Sequence, residues 1–242
     1  MEKFYLDIGN THYKMAVFDS EGWSIIANGR IGQSEEFELK MGVITSKDSL
    51  IISSVRKDVL ELLKSTALAK GMQVIDNQHI PSGRVNYNTP NTLGVDRFLV
   101  ANAAYQESGK RVIVIDAGSA ITIDLMSEAG IYMGGVIMPG LQIQKQAIGD
   151  YLPELPDIES VIPKDWPGKS SKECLEWGVN GALQFAVNGF VKRYMAMNDN
   201  TDLYITGGDS EFIESAIDVN FESRLRKFLL FDGMRLFTES MK

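Results

Sequence analysis

The chain repeats one pattern of apolar and polar positions at two places. The apolar run 4–6 leads into Asp7-Ile8-Gly9, and the apolar run 112–115 leads into Asp116-Ala117-Gly118. A second strand-like stretch and then a polar reversal follow each time. Apolar runs of this length, bounded by polar turns, predict β-strands. The pattern therefore predicts two β-hairpins with acidic tips, in two similar lobes whose tips face each other across a cleft.

The rest of the pattern predicts an α/β protein with lobes 1–110 and 111–242. Strands are predicted at 3–8, 13–19, 23–31, 50–54, 72–75, 112–116, 120–126, 131–137 and 203–206. Helices are predicted at 57–70, at 96–108, at 171–197 and, as a short segment, after Gly207-Gly208. The stretches 77–95 and 150–169 carry no sustained period and are predicted to be irregular.

Each acidic tip carries groups that suit the binding of nucleotide phosphates. The carboxylate of Asp7 can hold a hydrated Mg²⁺, and Gly9 lets backbone N–H groups approach an oxyanion. Asn10 and Thr11 add side-chain donors for phosphate oxygens. A strand that simply ends in a turn explains a single Asp-x-Gly better, but two copies in the same context favour phosphate binding. The sequence has no P-loop, and no Gly-x-Gly-x-x-Gly opens a helix after a strand.

Composition argues against several classes of protein. The 242 residues are 44% apolar and carry a net charge of −8 without a basic tract, so nucleic acid is not an expected partner. No apolar run approaches the roughly 20 residues that span a bilayer, and no signal-peptide pattern is present. We therefore expect a soluble, cytoplasmic protein without a membrane partner. The single cysteine, Cys174, excludes an internal disulfide, and His12 and His79 lie outside any zinc-binding spacing.

Five motifs together resemble those of the type III pantothenate kinases. They are the two acidic turns, Gly94-Val95-Asp96-Arg97, the glycine-rich stretch 134–140 and Thr206-Gly207-Gly208-Asp209. The resemblance implies two ribonuclease-H-like lobes, the fold shared by acetate kinase, sugar kinases, heat-shock chaperones and actin. It also implies a homodimer that phosphorylates pantothenate with ATP to give 4'-phosphopantothenate, the first step of coenzyme A synthesis.

The resemblance also assigns roles to individual residues. Asp96 would accept the proton of the substrate hydroxyl, and Asp116 would hold a monovalent cation, K⁺ or NH₄⁺. ATP, with Mg²⁺ on its phosphates, would be bound by Asp7, Ile8, Gly9, Asn10, Thr11, His12, Tyr13, Lys14 and Ser119. Pantothenate would be bound by Tyr87, Gly94, Val95, Asp96, Arg97 and Ser171. Ser119 and Ser171 stand where the family usually has threonine, but each keeps the hydroxyl.

The sequence leaves other interpretations open. Asp96 could be only a helix cap, and Ser171 could be the N-cap of its helix rather than a substrate contact. A non-catalytic relative with the same fold could bind a regulatory partner, although it would have no need for all the charged residues of these motifs. A kinase of the same superfamily for a sugar or a small carboxylic acid is the other alternative. Only Tyr87 and the 94–97 motif argue against that alternative.

Overall fold

The computed structural model describes residues 2–31, 48–65 and 71–240, and the chain divides into two compact units. The first unit consists of residues 1–103 and 228–242, and the second consists of residues 104–227. The C-terminal segment, which the sequence analysis assigned to the second lobe, therefore lies with the first unit. The lobe limits 1–110 and 111–242 stay a prediction.

The first unit contains a five-stranded mixed sheet. Its strands are β1 (Lys3–Ile8), β2 (His12–Asp19), β3 (Gly22–Arg30), β4 (Ser49–Ser54) and β5 (Met72–Ile75). The order is β3-β2-β1-β4-β5, with β1 to β3 antiparallel and β4 and β5 parallel to β1. Leu6, Ile8 and Ile52 are fully buried in one core, because alternate residues of a strand face the same side. The strands predicted for this part of the chain are confirmed to within one residue at each end.

Two helices follow the parallel strands of this sheet. α1 (Lys57–Lys64) connects β4 to β5, and α2 (Val95–Ser108) begins in the first unit and ends in the second. The predicted end of α1 at residue 70 falls in 66–70, outside the described residues. The segment between β5 and α2 is irregular as predicted, apart from single 3₁₀ turns at Asn77–His79 and Pro90–Thr92.

The second unit repeats the sheet of the first. Its strands are β6 (Arg111–Ala117), β7 (Ala120–Met126), β8 (Tyr132–Pro139), β9 (Thr201–Thr206) and β10 (Ser223–Leu225). The order is β10-β9-β6-β7-β8, again an antiparallel meander of three strands with two further strands parallel to its first. The shared order and strand directions confirm the duplication predicted from the two hairpins. The short strand β10 was not predicted.

The helices of the second unit come after its hairpin strands. They are α3 (Leu141–Tyr151), α4 (Ser171–Glu176), which passes through a π-helical turn (Trp177–Gly181) into α5 (Ala182–Met195), and α6 (Ser210–Ala216). Leu183, Val187 and Val191 of α5 are buried against the sheet residues of this unit. The predicted long helix from residue 171 is confirmed with one π turn in it, whereas α3 was not predicted.

The chain ends in α7 (Leu229–Ser240), which packs within the first unit and was not predicted. A Cβ on Gly233 would lie 2.3 Å from the Leu99 carbonyl oxygen, so glycine lets the backbone of α7 approach that of α2. The Trp23 indole N–H donates to Asp232 Oδ1 at 2.7 Å and ties α7 to β3. These contacts fix the helix that carries Asp96. None of the described helices is long and apolar enough to cross a membrane.

Candidate active site

The first acidic turn joins β1 to β2 in the first unit. Asp7 pairs with Lys14, and Ile8 pairs with Tyr13, in the antiparallel register. The Gly9 N–H donates to the carbonyl of the third residue along at 2.9 Å, which closes the turn. A Cβ on Gly9 would lie 3.3 Å from the same carbonyl oxygen, so glycine suits this tight turn.

Side chains of this hairpin form a buried set and an exposed set. Ile8 and Tyr13 are buried in the core, so only their backbone groups are available to a ligand. The exposed set carries an amide, a hydroxyl, an imidazole and an ammonium group, which belong to Asn10, Thr11, His12 and Lys14 in that order. Thr11 Oγ1 lies 2.9 Å from His12 Nδ1, so these neighbours share a hydrogen bond. The exposed set supplies donors of the kind that phosphate oxygens accept from.

Asp96 lies in the first turn of α2. Its Oδ1 accepts a hydrogen bond from the Arg97 N–H at 2.9 Å, and its side chain is partly exposed. The buried Val95 is the first residue of the helix, so the carboxylate of Asp96 lies inside the first turn, near the positive end of the helix dipole. A Cβ on Gly94 would lie 2.5 Å from Asp96 Oδ1. Glycine at position 94 therefore leaves the space that the carboxylate occupies.

The other predicted substrate contacts of the first unit differ in exposure. Arg97 is buried, with 8% of its surface exposed, whereas Tyr87 is partly exposed. Arg84, in the same loop as Tyr87, donates from Nη2 to Asn102 Oδ1 at 2.9 Å. This hydrogen bond attaches the loop that carries Tyr87 to the helix that carries Asp96.

The second acidic turn lies in the second unit, at the end of β6. Asp116 lies between Thr122 of β7 and Thr206 of β9 in the sheet register. The N–H of Gly118 closes the turn with a 3.0 Å hydrogen bond to the carbonyl two residues along. Asp116 and Ser119 are both partly exposed. The turn carries the same Asp-x-Gly pattern as the first one, but it is one residue shorter.

Glycines from two other motifs pack closely against the backbone of the second acidic turn. A Cβ on Gly140 would lie 2.1 Å from the Gly118 carbonyl oxygen, and a Cβ on Gly207 would lie 2.4 Å from that of Ala117. Gly207 also has a φ of +98°, a backbone conformation that glycine adopts without strain. The Asp209 N–H donates to the Ala117 carbonyl at 2.9 Å. Three motifs that are separate in the sequence therefore meet at one place within this unit.

Ser171 is the first residue of α4 and is exposed. The N-cap of this helix is Ser170, whose Oγ accepts a hydrogen bond from the Glu173 N–H at 3.2 Å. The alternative that Ser171 is the N-cap is therefore wrong. Its hydroxyl is not the group that caps the helix, and it lies on the surface beside the cap.

Comparison with known proteins assigns the chain to a family. The model of the family described as type III pantothenate kinase matches residues 3–193. The chain belongs to this family. A type III pantothenate kinase of Flavobacterium johnsoniae is 31% identical over 213 residues, which cover 86% of each protein. The family and the kinase activity predicted from the motifs are thereby confirmed.

Solved structures confirm the fold class. A Campylobacter jejuni protein described as a Baf family transcriptional activator aligns with a TM-score of 0.69 at 22% identity, over 98% of each chain. The activator of 2-hydroxyisocaproyl-CoA dehydratase from Clostridium difficile aligns with a TM-score of 0.58 at 16% identity, over 100% of this chain and 96% of that one. At these identities the likeness concerns the fold, which is the actin-like ATPase fold predicted for this family.

Two polar contacts near the family motifs were missed by the sequence analysis. Arg56, directly after β4, donates to the Asn10 carbonyl in the first acidic turn. The buried carboxylate of Asp124 accepts a hydrogen bond from the Tyr132 hydroxyl at 2.8 Å, between β7 and β8. A usable signal existed for Arg56, because the carboxyl ends of parallel strands such as β1 and β4 meet at one edge of a sheet. The sequence around Asp124 carries no such signal.

Proposed function

We propose that the protein transfers the γ-phosphoryl group of ATP to the primary hydroxyl of pantothenate, with Asp96 as the catalytic residue. The observation that carries this proposal is the family match over residues 3–193, which includes the hairpin 7–14 and the turn 94–97. Phosphoryl transfer requires an aligned nucleophile and neutralised charge more than covalent participation by the protein. A coupled assay of pantothenate-dependent ADP release tests the activity.

Asp96 aligns the acceptor alcohol. Its carboxylate is partly exposed and is held by the Arg97 N–H, so it presents an acceptor from a fixed position. A hydroxyl that donates to this carboxylate has a lone pair directed towards the phosphorus atom. As the new O–P bond forms, the proton of the hydroxyl passes to the carboxylate, and the O–P bond to ADP breaks.

The hairpin 7–14 binds the phosphates of ATP. Its exposed side chains are donors, and residues 10–12 at its tip are exposed, so a ligand can approach their backbone. This donor set fits a triphosphate. The partly exposed carboxylate of Asp7 fits Mg²⁺, which proteins usually bind through one or two carboxylates together with substrate phosphates and water. Bound Mg²⁺ neutralises charge on the phosphates.

The second acidic turn binds a monovalent cation and contributes to nucleotide binding. Asp116 offers a partly exposed carboxylate, and the carbonyl groups of the same turn are oxygen ligands of the kind that such cations prefer. Ser119 offers its hydroxyl to the nucleotide. Replacing K⁺ by Na⁺ in the ADP-release assay tests whether the protein requires a specific monovalent cation. Equal activity in both salts would contradict the assignment of a K⁺ site to Asp116.

The pantothenate contacts in the first unit are Tyr87, Asp96 and Arg97, and Ser171 is a separate candidate contact in the second unit. The carboxylate of pantothenate suits a guanidinium group, and its amide and hydroxyl groups suit hydroxyl side chains. We expect Ser171→Ala to raise KM for pantothenate about threefold to tenfold, the effect of one lost hydrogen bond. Thermal stability should be unchanged, because Ser170 caps the helix.

The matched control is Ser170→Ala on the neighbouring residue. It removes the cap and should lower the free energy of unfolding by about 1 kcal/mol with little change in KM for pantothenate. Steady-state kinetics and thermal denaturation of both variants separate the two roles. Equal kinetics for Ser171→Ala and the native protein would remove Ser171 from the pantothenate site.

The protein acts as a homodimer in the cytoplasm. The second unit exposes large apolar side chains, among them Tyr151 at 83%, Trp166 at 72% and Phe185 at 65%. A second copy of the chain would cover such groups, which isolated soluble proteins expose only in limited patches. Sedimentation equilibrium should give twice the mass of one chain, and Phe185→Glu should shift the equilibrium towards the monomer. A monomeric native protein at micromolar concentration would contradict this assignment.

A further inference from the structure

The turn that follows β4 is attached to the first acidic turn. The Val55 N–H donates to the Ile8 carbonyl at 3.1 Å, which extends the parallel pairing of β4 with β1. The next residue, Arg56, donates from Nη1 to the Asn10 carbonyl at 3.1 Å, between positions 46 residues apart in the sequence. A side chain from another strand connection therefore holds the tip of the hairpin.

Arg56 is itself fixed on two sides. Its Nε donates to Asp58 Oδ1 at 2.8 Å, and its Nη2 donates to the other carboxylate oxygen, so the ion pair is bidentate. Its backbone is held by Ser54, whose Oγ accepts from the Arg56 N–H and donates to the Arg56 carbonyl, both at 3.0 Å. The guanidinium group therefore has one preferred direction, towards Asn10.

Arg56 and Asp58 both stay charged from about pH 6 to 9. The hydrogen bond from Arg56 lowers the pKa of Asp58 to about 2. A lowered carboxyl pKa means that the interaction is complete above the ordinary pKa and is lost only as the pH falls towards 2. Any effect of Arg56 on the hairpin should therefore be constant from about pH 6 to 9.

Holding the Asn10 carbonyl also sets the direction of the next N–H. The peptide group between Asn10 and Thr11 is planar and trans, so its C=O and N–H point in opposite directions. With the carbonyl directed at Arg56, the Thr11 N–H is directed to the other side. Both residues are exposed at the tip, where little packing would oppose a rotation of this peptide. A turn binds an oxyanion through its backbone only while its N–H groups point at the anion.

We propose that Arg56, oriented by Asp58, is a positioning residue for ATP, because it fixes the peptide between residues 10 and 11 in the direction that phosphate binding requires. The inference rests on the proposed role of the hairpin as the phosphate-binding turn. Arg56 acts through the Asn10 carbonyl, and no contact between Arg56 and substrate is part of the proposal.

The test compares variants of the Arg56–Asp58 pair with a control pair on α1, the helix that carries Asp58. Arg56→Ala should raise KM for ATP and weaken MgATP binding by about fivefold, while kcat and KM for pantothenate change less than twofold. Arg56→Lys should be partly impaired, because an ammonium group can reach one acceptor but lacks the planar fork that matches Asp58. Asp58→Asn should give a smaller loss of the same kind. Lys64→Ala breaks a somewhat more exposed ion pair with Glu61, at 2.8 Å in α1, and should change none of these constants.

Calorimetric titration with MgATP keeps this inference separate from the proposed activity. Native protein that binds MgATP but releases no ADP would refute the proposed activity, and the affinities of the variants would still decide the role of Arg56. Unchanged MgATP affinity in Arg56→Ala and Arg56→Lys would overturn the inference. An equal loss of MgATP affinity in Lys64→Ala would also overturn the inference. The effect of Arg56→Ala would then come from the change in surface charge rather than from the lost hydrogen bond to the Asn10 carbonyl.

Discussion

Asp96→Asn is expected to lower kcat by about 100-fold to 10,000-fold, the range that a positioned acid or base contributes. Asparagine keeps an oxygen that can accept from the Arg97 N–H, so the first turn of α2 should stay intact. It lacks the negative charge that attracts the proton of the acceptor hydroxyl. MgATP affinity should change less than threefold, because the role proposed for Asp96 is contact with the alcohol rather than with the nucleotide.

Kinetics and MgATP titration of the same preparation check this result. The thermal midpoint of the variant serves as the control. Unfolding of the helix end would also abolish activity, even if Asp96 had no catalytic role, and an unchanged midpoint excludes this explanation. Native kcat in a folded Asp96→Asn protein would show that the carboxylate is not the catalytic group. Lost MgATP binding would place the residue at the nucleotide instead.

Gly207→Ala is expected to destabilise the second unit strongly. Position 207 has a φ of +98°, where a residue with a side chain is strained by about 1–2 kcal/mol, and the new Cβ would lie 2.4 Å from the Ala117 carbonyl oxygen. Relief of that clash requires movement of the backbone that carries Asp116. We expect a loss of at least about 2 kcal/mol in the free energy of unfolding, with weaker MgATP binding.

Gly208→Ala is the matched control for stability. Apart from its chain neighbours, no atom of the described residues lies within 4 Å of a Cβ built on Gly208, and its φ is outside the left-handed region. The adjacent substitution should therefore shift the thermal midpoint by less than about 2 °C, against about 4–8 °C or more for Gly207→Ala. Equal thermal midpoints for Gly207→Ala and Gly208→Ala would show that Gly207 does not pack against the Ala117 carbonyl.

Much of the fold could be predicted from local patterns, and the exceptions have identifiable causes. β1 and β6 are buried along most of their length, so each appears in the sequence as a continuous apolar run that ends in an Asp-x-Gly turn. α3 was missed because Leu141 is its one buried residue, and a helix without an apolar stripe gives no periodic signal. α7 lies with the first unit through the contact of Gly233 with Leu99, which no local pattern encodes. β10 is defined only by its pairing with β9.

The candidate site was predicted where a motif is continuous in the sequence, and parts of it were missed where they depend on contacts between distant positions. The two acidic turns and the 94–97 motif are short runs with a recognisable composition. Arg56 was missed because its contact joins strand connections that are far apart in the sequence. Two adjacent serines can each cap a helix, so the choice between Ser170 and Ser171 required the position of the first helical residue.

The initial rate of ADP release from MgATP, measured with and without pantothenate in potassium buffer, decides whether the protein phosphorylates pantothenate. We expect a saturable rate that requires pantothenate, with formation of a product whose mass is that of pantothenate plus one phosphoryl group. Release of ADP that is the same with and without pantothenate, from folded protein that binds MgATP, would contradict this expectation.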